Sequence, residues 1–262
     1  MLKKFKSNIK ILFIYLIIII SCNNSVAEEK VSLLKNKWSF EGIFGTFDRA
    51  SLRRGYQVYN EVCSTCHSIN LLSYRNLSEK GGPEFSLEST KNIAASFEVI
   101  DGPNSEGEMF TRTGRLSDKF IKPYPNVQAA KSANGGAYPP DMSVLVKARG
   151  GGANYIYSIL LGYEDPPEGF NLDEGVYYNK YMPGNNIKMP NVLSDGLLDY
   201  EDGTGATVQQ MAKDVSTFLT WVSEPSLEAR HKIGFKVILY LIILALLVYL
   251  SMKKLWLRVE SE

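Results

Sequence analysis

The residues best suited to chemistry are two cysteines and a histidine that stand close together, Cys63, Cys66 and His67. Their Cys-x-x-Cys-His spacing is typical of c-type haem attachment, in which both thiols bond to the macrocycle and the adjacent histidine faces the iron. A zinc half-site would need a second pair of cysteines or histidines, and a thioredoxin-like redox pair would not need the histidine. The motif therefore predicts one covalently bound haem c with His67 as an iron ligand.

The second axial ligand is less clearly indicated. The other histidine, His231, borders the last apolar run, so methionine, lysine, tyrosine or an empty position is expected opposite His67. Two methionines are better suited to packing, one on an apolar helix face and one in the last apolar run, namely Met211 and Met252. With Met1 set aside, four candidates are left: Met109, Met142, Met182 and Met189. A loop opened by Pro183-Gly184 could hold Met189 against iron, but these residues alone leave the choice open.

The first 27 residues have the pattern of a secretory signal peptide. A lysine-rich start precedes apolar residues 11–20, and small residues lead to a cleavage position after Ala27. Cleavage there would remove the third cysteine, Cys22. Lipoprotein processing with acylation of Cys22 is an alternative, and an uncleaved anchor is a third, for which the apolar run is short.

The last apolar run predicts a membrane anchor. Residues 233–252 carry one charge, that of Lys236. At about 1.5 Å per residue, twenty helical residues match a hydrocarbon core of about 30 Å. Three basic residues follow, Lys253, Lys254 and Arg258, so the positive-inside rule makes residues 253–262 a cytoplasmic tail. Residues 28–232 are then an extracytoplasmic haem c domain in the periplasm, and the chain contacts the lipid bilayer.

Helix signals dominate the predicted haem domain. An apolar face over residues 47–59, with Asp48 as N-cap, predicts a helix that runs towards Cys63. Further helices are expected to start near Asn126 and Asp141 and to cover residues 154–161 and 206–221. Glycine and proline clusters between these segments indicate long loops. The predicted fold is an all-α c-type cytochrome domain with long loop insertions and one C-terminal transmembrane helix.

The charge balance favours a protein partner over nucleic acid. Residues 28–236 hold 22 basic and 26 acidic side chains, a net charge of −4. A mildly acidic domain fits a basic protein partner and disfavours binding to nucleic acid. The sequence also contains no nucleotide-binding loop, nucleophile triad or zinc constellation, so no independent catalytic site is expected.

Several further motifs resemble one family, cytochrome c1, the haem subunit of the quinol:cytochrome c oxidoreductase (bc1 complex) of the respiratory chain. The resemblance covers most of the chain after residue 27 and is carried by residues 54–59, 63–67, 74–77, 101–104, 107–110, 139–143, 147–149, 181–190, 202–204 and 211–215. Together these motifs are far more specific than the Cys-x-x-Cys-His motif, which any c-type cytochrome would share.

The resemblance implies residue roles, partners and a location. It implies that Met189 is the second iron ligand opposite His67, and that Arg149 approaches a haem propionate. It also implies a complex with cytochrome b, in which electrons pass from a Rieske iron-sulfur protein through this haem to cytochrome c. The expected location is the bacterial inner membrane. A stand-alone membrane-anchored c-type electron carrier feeding an oxidase is the alternative, and a haem sensor or peroxidase would need an open iron position.

Overall fold

The computed structural model of the chain describes residues 32–259. The predicted signal peptide, with its alternatives for Cys22, lies outside the described residues, as do residues 260–262 of the predicted tail.

Six α-helices and two small antiparallel sheets form the regular structure of residues 32–259. The helices are α1 (Arg49–Val58), α2 (Leu87–Ala95), α3 (Val127–Ala133), α4 (Ala153–Leu161), α5 (Val208–Ser223) and α6 (Leu227–Val259). The strands are β1 (Glu98–Asp101), which pairs with β2 (Phe110–Thr113), and β3 (Tyr177–Tyr178), which pairs with β4 (Asn186–Ile187). Short 3₁₀ turns cover Tyr74–Ser78 and Pro183–Asn185.

The helix-rich class is confirmed, but the all-α description holds only in part because of the two hairpins. Strand β1 is four residues long, with Val99 and Ile100 at its centre. Strands β3 and β4 have two residues each. Such short strands contain too few residues for an alternating apolar pattern, which is why the sequence did not reveal them.

Helix α1 begins as predicted and leads directly into the cysteine motif. The Asp48 carboxylate accepts hydrogen bonds from the backbone N–H groups of Ala50 (2.9 Å) and Ser51 (3.4 Å), as an N-cap should. Leu52 and Tyr56 are buried on its apolar face. After Val58 the chain continues as one π-helical turn, Tyr59–Cys63. Such turns often occur at functional sites.

The helix expected near Asp141 is absent, and that prediction was wrong. Residues 143–149 instead form successive turns, closed mostly by hydrogen bonds between residues three apart, such as Leu145 N–H to Met142 O. The Asp141 carboxylate is engaged by Asn70 N–H (2.9 Å) and by Ser68 Oγ (2.8 Å), besides the N–H of Ser143. The Asp141 side chain therefore binds residues about 70 positions earlier in the chain, instead of capping a helix as the local pattern suggested.

The hydrophobic core forms where α1 packs on α5. Tyr59, Phe218 and Trp221 are fully buried there, and the rings of Tyr59 and Phe218 lie 5.8 Å apart. The two helices approach most closely at Gly55, where a Cβ atom would overlap the backbone carbonyl of Asp214. Gly55 therefore sets the spacing of the helix pair that carries the cysteine motif.

Replacing Gly55 with alanine is expected to separate α1 from α5 and to lower the free energy of unfolding by about 1–3 kcal/mol, as overpacking does in other cores. The new methyl group would meet the backbone of Asp214, which cannot rotate aside as a side chain can. Denaturant unfolding of the full chain in detergent measures the effect. Gly205→Ala is the matched control, because a Cβ at Gly205 meets no atom within 4 Å. Equal stability of the two variants would contradict this account of the packing.

The last helix, α6, is the candidate membrane span. Its segment Leu227–Leu257 is long and apolar enough to cross a bilayer, and its most apolar part has no buried side chains. The helix has 33 residues, about 50 Å at 1.5 Å per residue, so its ends extend beyond a hydrocarbon core of about 30 Å.

A bidentate ion pair joins the start of α6 to the start of α1. Arg49 Nη1 and Nη2 donate to the two carboxylate oxygens of Glu228 at 2.7 and 2.9 Å. The backbone N–H of Phe47 donates to the same carboxylate at 2.9 Å. Paired guanidinium and carboxylate groups are geometrically specific. This junction therefore fixes the direction in which α6 leaves the core formed by α1 and α5.

Candidate functional site

The cysteine motif lies at the end of the π-helical turn and closes as a tight turn of its own. The carbonyl oxygen of Cys63 accepts hydrogen bonds from the N–H groups of Cys66 (3.1 Å) and His67 (2.8 Å). Neither cysteine takes part in a disulfide, and both are half-buried. The turn thus holds the two thiols and the imidazole within a few residues of a rigid helix end.

The imidazole of His67 is held by a single hydrogen bond. Its Nδ1 lies 2.8 Å from the carbonyl oxygen of Pro140. A carbonyl can only accept, so Nδ1 carries the proton of the neutral ring and Nε2 presents its lone pair. Nε2 has no hydrogen-bond partner among residues 32–259. Burial lowers the pKa of His67, which keeps the ring neutral. These are the properties of an iron-ligating histidine.

The segment that supplies the Pro140 carbonyl is fastened to the motif by several hydrogen bonds. Met142 N–H donates to Ser68 O (2.8 Å), and Leu71 N–H donates to Ser143 Oγ (3.0 Å). Burial alone would raise the pKa of Asp141, but hydrogen bonds from Ser143, Asn70 and Ser68 hold it below its ordinary value. Asp141 therefore acts as a positioning residue that stabilises the Pro140 contact to His67.

Asp141 is expected to make the site sensitive to acid. Because its pKa is lower in the folded protein than the value of about 3.9 in unfolded chains, its stabilisation is present above that value. It is lost as the pH falls through the folded pKa. Acid titration of the intrinsic fluorescence measures the unfolding midpoint, and Asp141→Asn should flatten the pH dependence of stability below pH 4. Asp173→Asn, in the exposed 171–176 loop, is the control. An unchanged acid profile in Asp141→Asn would contradict the assigned role.

The loop of Met189 is tied down on both sides. The hydroxyl of Tyr163 donates to the carbonyl of Met189 at 2.9 Å, and Lys188 Nζ donates to the carbonyl of Gly135 at 3.1 Å. Upstream, Gly184 has φ +77° and Asn185 has φ +57°, which gives the turn after Pro183 its left-handed conformation. The backbone of Met189 is thus fixed, while its side chain is half-buried.

The other candidate methionines occupy different surroundings. Met142 belongs to the hydrophobic core and is 8% exposed, whereas Met109 lies beside the β1–β2 hairpin and is 61% exposed. Met182 is half-buried, and the hydroxyl of Tyr155 lies 3.7 Å from its sulfur. Met142 therefore has a packing role, and Met109 has no fixed partner among the described residues.

Segment 124–136 links the motif to the Met189 loop. The hydroxyl of Tyr124 lies 3.8 Å from the sulfur of Cys66 and accepts a hydrogen bond from Asn134 Nδ2 at 3.0 Å. The carbonyl of Gly135, the next residue, accepts the bond from Lys188. The chain of contacts thus runs from Cys66 through α3 to the residue before Met189.

Arg149 is exposed and carries an unpaired charge within the described part of the chain. Its guanidinium donates only to the neighbouring carbonyl of Ala148, at 3.3 Å. It is the last residue of the run of turns that replaces the helix predicted near Asp141, just before the glycines at 150–152. The side chain is therefore available to bind an acidic group such as a haem propionate.

Sequence reasoning missed two groups that shape this site. The backbone carbonyl of Pro140 orients His67 from 73 residues away, and no side-chain pattern signals a carbonyl contact. Tyr59 donates its hydroxyl to the carbonyl of His67 at 3.1 Å and is buried. An apolar-face aromatic four residues before the first cysteine was visible in the sequence, but its polar contact was not.

The donor set fits a covalently bound haem and does not fit a structural metal. Residues 32–259 contain no group of three or more histidine, cysteine, aspartate or glutamate side chains placed to hold a metal ion. Burial, aided by Cys66, raises the pKa of the Cys63 thiol to about 12, which disfavours a thiolate ligand. Two thiols beside an imidazole with a free Nε2 are instead what haem c attachment requires.

A haem-attachment motif on a helical domain that continues into a long exposed apolar helix defines a membrane-anchored c-type cytochrome. Comparison with known proteins specifies the class further. The sequence matches the Cytochrome C1 family over residues 38–259, and the chain belongs to that family. Its cofactor is one covalently bound haem c.

Individual relatives agree with this assignment. The chain is 48% identical to "Cytochrome b/c1" of Bradyrhizobium diazoefficiens, covering 84% of this chain and 35% of that protein. It is 52% identical to "Cytochrome c1-1, heme protein, mitochondrial" of Solanum tuberosum, over 84% of this chain and 68% of the relative. It is 45% identical to "Cytochrome c1" of Rhodospirillum rubrum, over 87% of this chain and 89% of the relative. The chain thus spans about a third of the Bradyrhizobium protein and most of the other two.

Proposed function

We propose that the chain is the haem-bearing electron-transfer subunit of a bc1 complex in a respiratory chain. Within it, the chain takes electrons from a Rieske iron-sulfur protein and passes them to cytochrome c. The observation that carries the proposal is the orientation of His67, the residue after Cys66: its Nδ1–H donates to the Pro140 carbonyl, so Nε2 presents its lone pair. Because the chain belongs to the Cytochrome C1 family, the bc1 complex is the assembly in which we expect this site to work.

Each proposed site residue has a distinct task. Cys63 and Cys66 would bond covalently to the haem, and His67 Nε2 and the Met189 sulfur would hold its iron. Haem c, when bound, supplies a reversible one-electron couple. With His67 and Met189 both bound to the iron, the chain would leave no place for oxygen or peroxide, and the Met189 thioether would favour a high reduction potential. Arg149 neutralises a propionate, for which a guanidinium is well suited.

Two exposed acidic groups are candidate contacts for a basic cytochrome c. The first lies around the β1–β2 hairpin, and the second follows α4; they are Glu98, Asp101, Glu106 and Glu108, and Glu164, Asp165 and Glu168. Asp101 is paired with Arg112, and Glu164 with Lys180. Unpaired carboxylates steer association more strongly, since neutralised ones contribute little to the field. The carboxylates that form no ion pair within residues 32–259 are therefore stronger candidates than Asp101 and Glu164; they are Glu98, Glu106, Glu108, Asp165 and Glu168.

The proposed arrangement places residues 28–232 in the periplasm, 233–252 in the membrane and 253–262 in the cytoplasm. Basic residues precede the span as well as follow it, at Arg230 and Lys232, and Lys236 lies within its first turn. The difference in basic residues between the two ends of the span is therefore a weaker argument for its orientation than the basic residues after it suggested by themselves. The signal-type pattern of residues 1–27 gives the stronger one, because it directs the following domain across the membrane.

Purification of the full chain from membranes tests the proposal. A c-type haemochrome spectrum together with co-purifying cytochrome b and a Rieske protein is expected. A stand-alone carrier feeding an oxidase would give the same haem spectrum without cytochrome b. Absence of a covalent haem would contradict the site itself, so the two failures are distinguishable.

A further inference from the structure

A tight loop near the start of the described chain presents two apolar side chains to the outside. Its base is closed by a hydrogen bond from Thr46 N–H to Ser39 O (3.0 Å), and its tip by one from Gly45 N–H to Gly42 O (3.2 Å). Ile43 and Phe44 stand at the tip and are 70% and 76% exposed. We call residues 41–45 the tip loop.

The backbone of the tip loop is built for this shape. Gly42 has φ +83°, a conformation that other residues avoid. At Gly45 a Cβ would overlap the backbone of Phe40. Phe40 itself is buried against Phe47, with ring centroids 5.3 Å apart. The loop is therefore anchored in the core, and the exposure of its two apolar residues is a fixed feature.

The tip loop lies against the first turns of α6. The ring of Phe44 is 5.8 Å from the ring of Phe235, and the Nδ1 of His231 lies 3.3 Å from the carbonyl oxygen of Gly45. Phe235 stands two residues before the uncharged run that begins at Val237. The Phe44 ring therefore lies at the level where α6 enters the hydrocarbon.

The surrounding charges match the boundary of a bilayer. Arg230, Lys232 and Lys236 flank the contact on α6, and Glu41 is the one acidic residue of the tip loop. Long basic side chains extend to lipid phosphates at a membrane surface, while apolar side chains such as phenylalanine bury into the boundary between headgroups and acyl chains. An apolar tip between aromatic and basic residues is continuous with the surface that α6 presents to lipid.

We propose that Ile43 and Phe44 form a second membrane contact, inserting into the interfacial layer of the bilayer beside the start of α6. The occupant of this surface is phospholipid. The contact limits tilting of the haem domain about the Arg49–Glu228 junction, since it adds a second attachment point to the single helix. This inference rests on α6 being the membrane span.

Fluorescence quenching in bilayers tests the contact directly. The full-length haem-loaded chain, with Cys22→Ser, is labelled with an NBD fluorophore at Ile43→Cys or Phe44→Cys and placed in phosphatidylcholine vesicles. Emission is compared with and without a lipid carrying a doxyl group near its headgroup, and with aqueous iodide. The ratio within one labelled protein cancels energy transfer to haem. Ile100→Cys, which replaces a side chain 73% exposed on β1, is the aqueous control, and Ile243→Cys is the control in the span.

The proposal expects doxyl quenching at positions 43 and 44 several-fold stronger than at position 100, with iodide quenching correspondingly weaker. Iodide quenching equal to that at position 100 would overturn it. Protection from both quenchers would also overturn it, because the tip would then be covered by protein. Iodide quenching at position 243 as strong as at position 100 would instead show that α6 is not in the membrane, which separates failure of the span from failure of the tip contact.

Discussion

Replacing Met189 with leucine is expected to lower the haem reduction potential by tenths of a volt, within the range of about 0.8 V over which axial ligands set haem potentials. Leucine has a similar size but no donor atom, so the sixth iron position opens. Carbon monoxide should then bind to the reduced protein and shift its spectrum, whereas the unaltered protein should not respond. Redox titration and carbon monoxide difference spectra measure the two effects.

Two matched variants separate ligation from packing. Met182→Leu removes the sulfur that lies beside the Tyr155 hydroxyl, and Met109→Leu changes an exposed methionine. Neither should alter the potential appreciably or admit carbon monoxide. If Met182→Leu produced the changes expected of Met189→Leu, the ligand would be Met182 and the family-based assignment would be wrong at this position.

Replacing Arg54 with methionine is expected to lower the free energy of unfolding by about 3–5 kcal/mol, the usual cost of leaving a buried charge without its partner. Asp214 is completely buried, and Arg54 Nε donates to it at 2.8 Å. Ser51 Oγ and Gln210 Nε2 also donate to this carboxylate, but they do not neutralise it. The pair lies where α1 meets α5, next to Gly55. Chemical denaturation of the full chain in detergent measures the loss.

Adjacent positions provide the controls for this prediction. Arg53 donates only to backbone carbonyls, those of Pro83 and Glu84, so Arg53→Met should cost much less. The double variant Arg54→Met/Asp214→Leu removes both charges and should recover part of the stability. Equal losses in the Arg53 and Arg54 variants would contradict the importance of the buried pair.

Local patterns predicted those helices whose signals are local. Asp48 was recognised as a cap, and a helix start was predicted near Asn126, because each side chain bonds to a backbone group three residues or fewer away. Helix α5 was recognised from its apolar spacing, although its cap, Thr207, was not named. Helix α2, with Ser86 as its cap, was missed because it has no clear apolar face. Its residues are on average neither strongly apolar nor strongly polar, and only Thr90 and Ala94 are buried.

The errors arose where a residue's partner is distant in sequence. Asp141 has the local context of a helix cap, but Asn70 and Ser68 engage its carboxylate, and the chain that follows forms turns. Similarly, the two thiols and imidazole of the motif were evident from spacing, whereas the Pro140 carbonyl that orients His67 was not. Met189 stays a prediction from family resemblance, supported by the fixed backbone of its loop.

The most direct test of the electron-transfer role is rapid-mixing spectroscopy of the intact membrane complex. Quinol is mixed with the oxidised complex, and the c-type α-band is followed before and after oxidised cytochrome c is added. Reduction of the haem at least as fast as steady-state turnover, followed by reoxidation on adding cytochrome c, is the expected result. A haem that is reduced more slowly than turnover, or that stays reduced when cytochrome c is added, would contradict the proposed function.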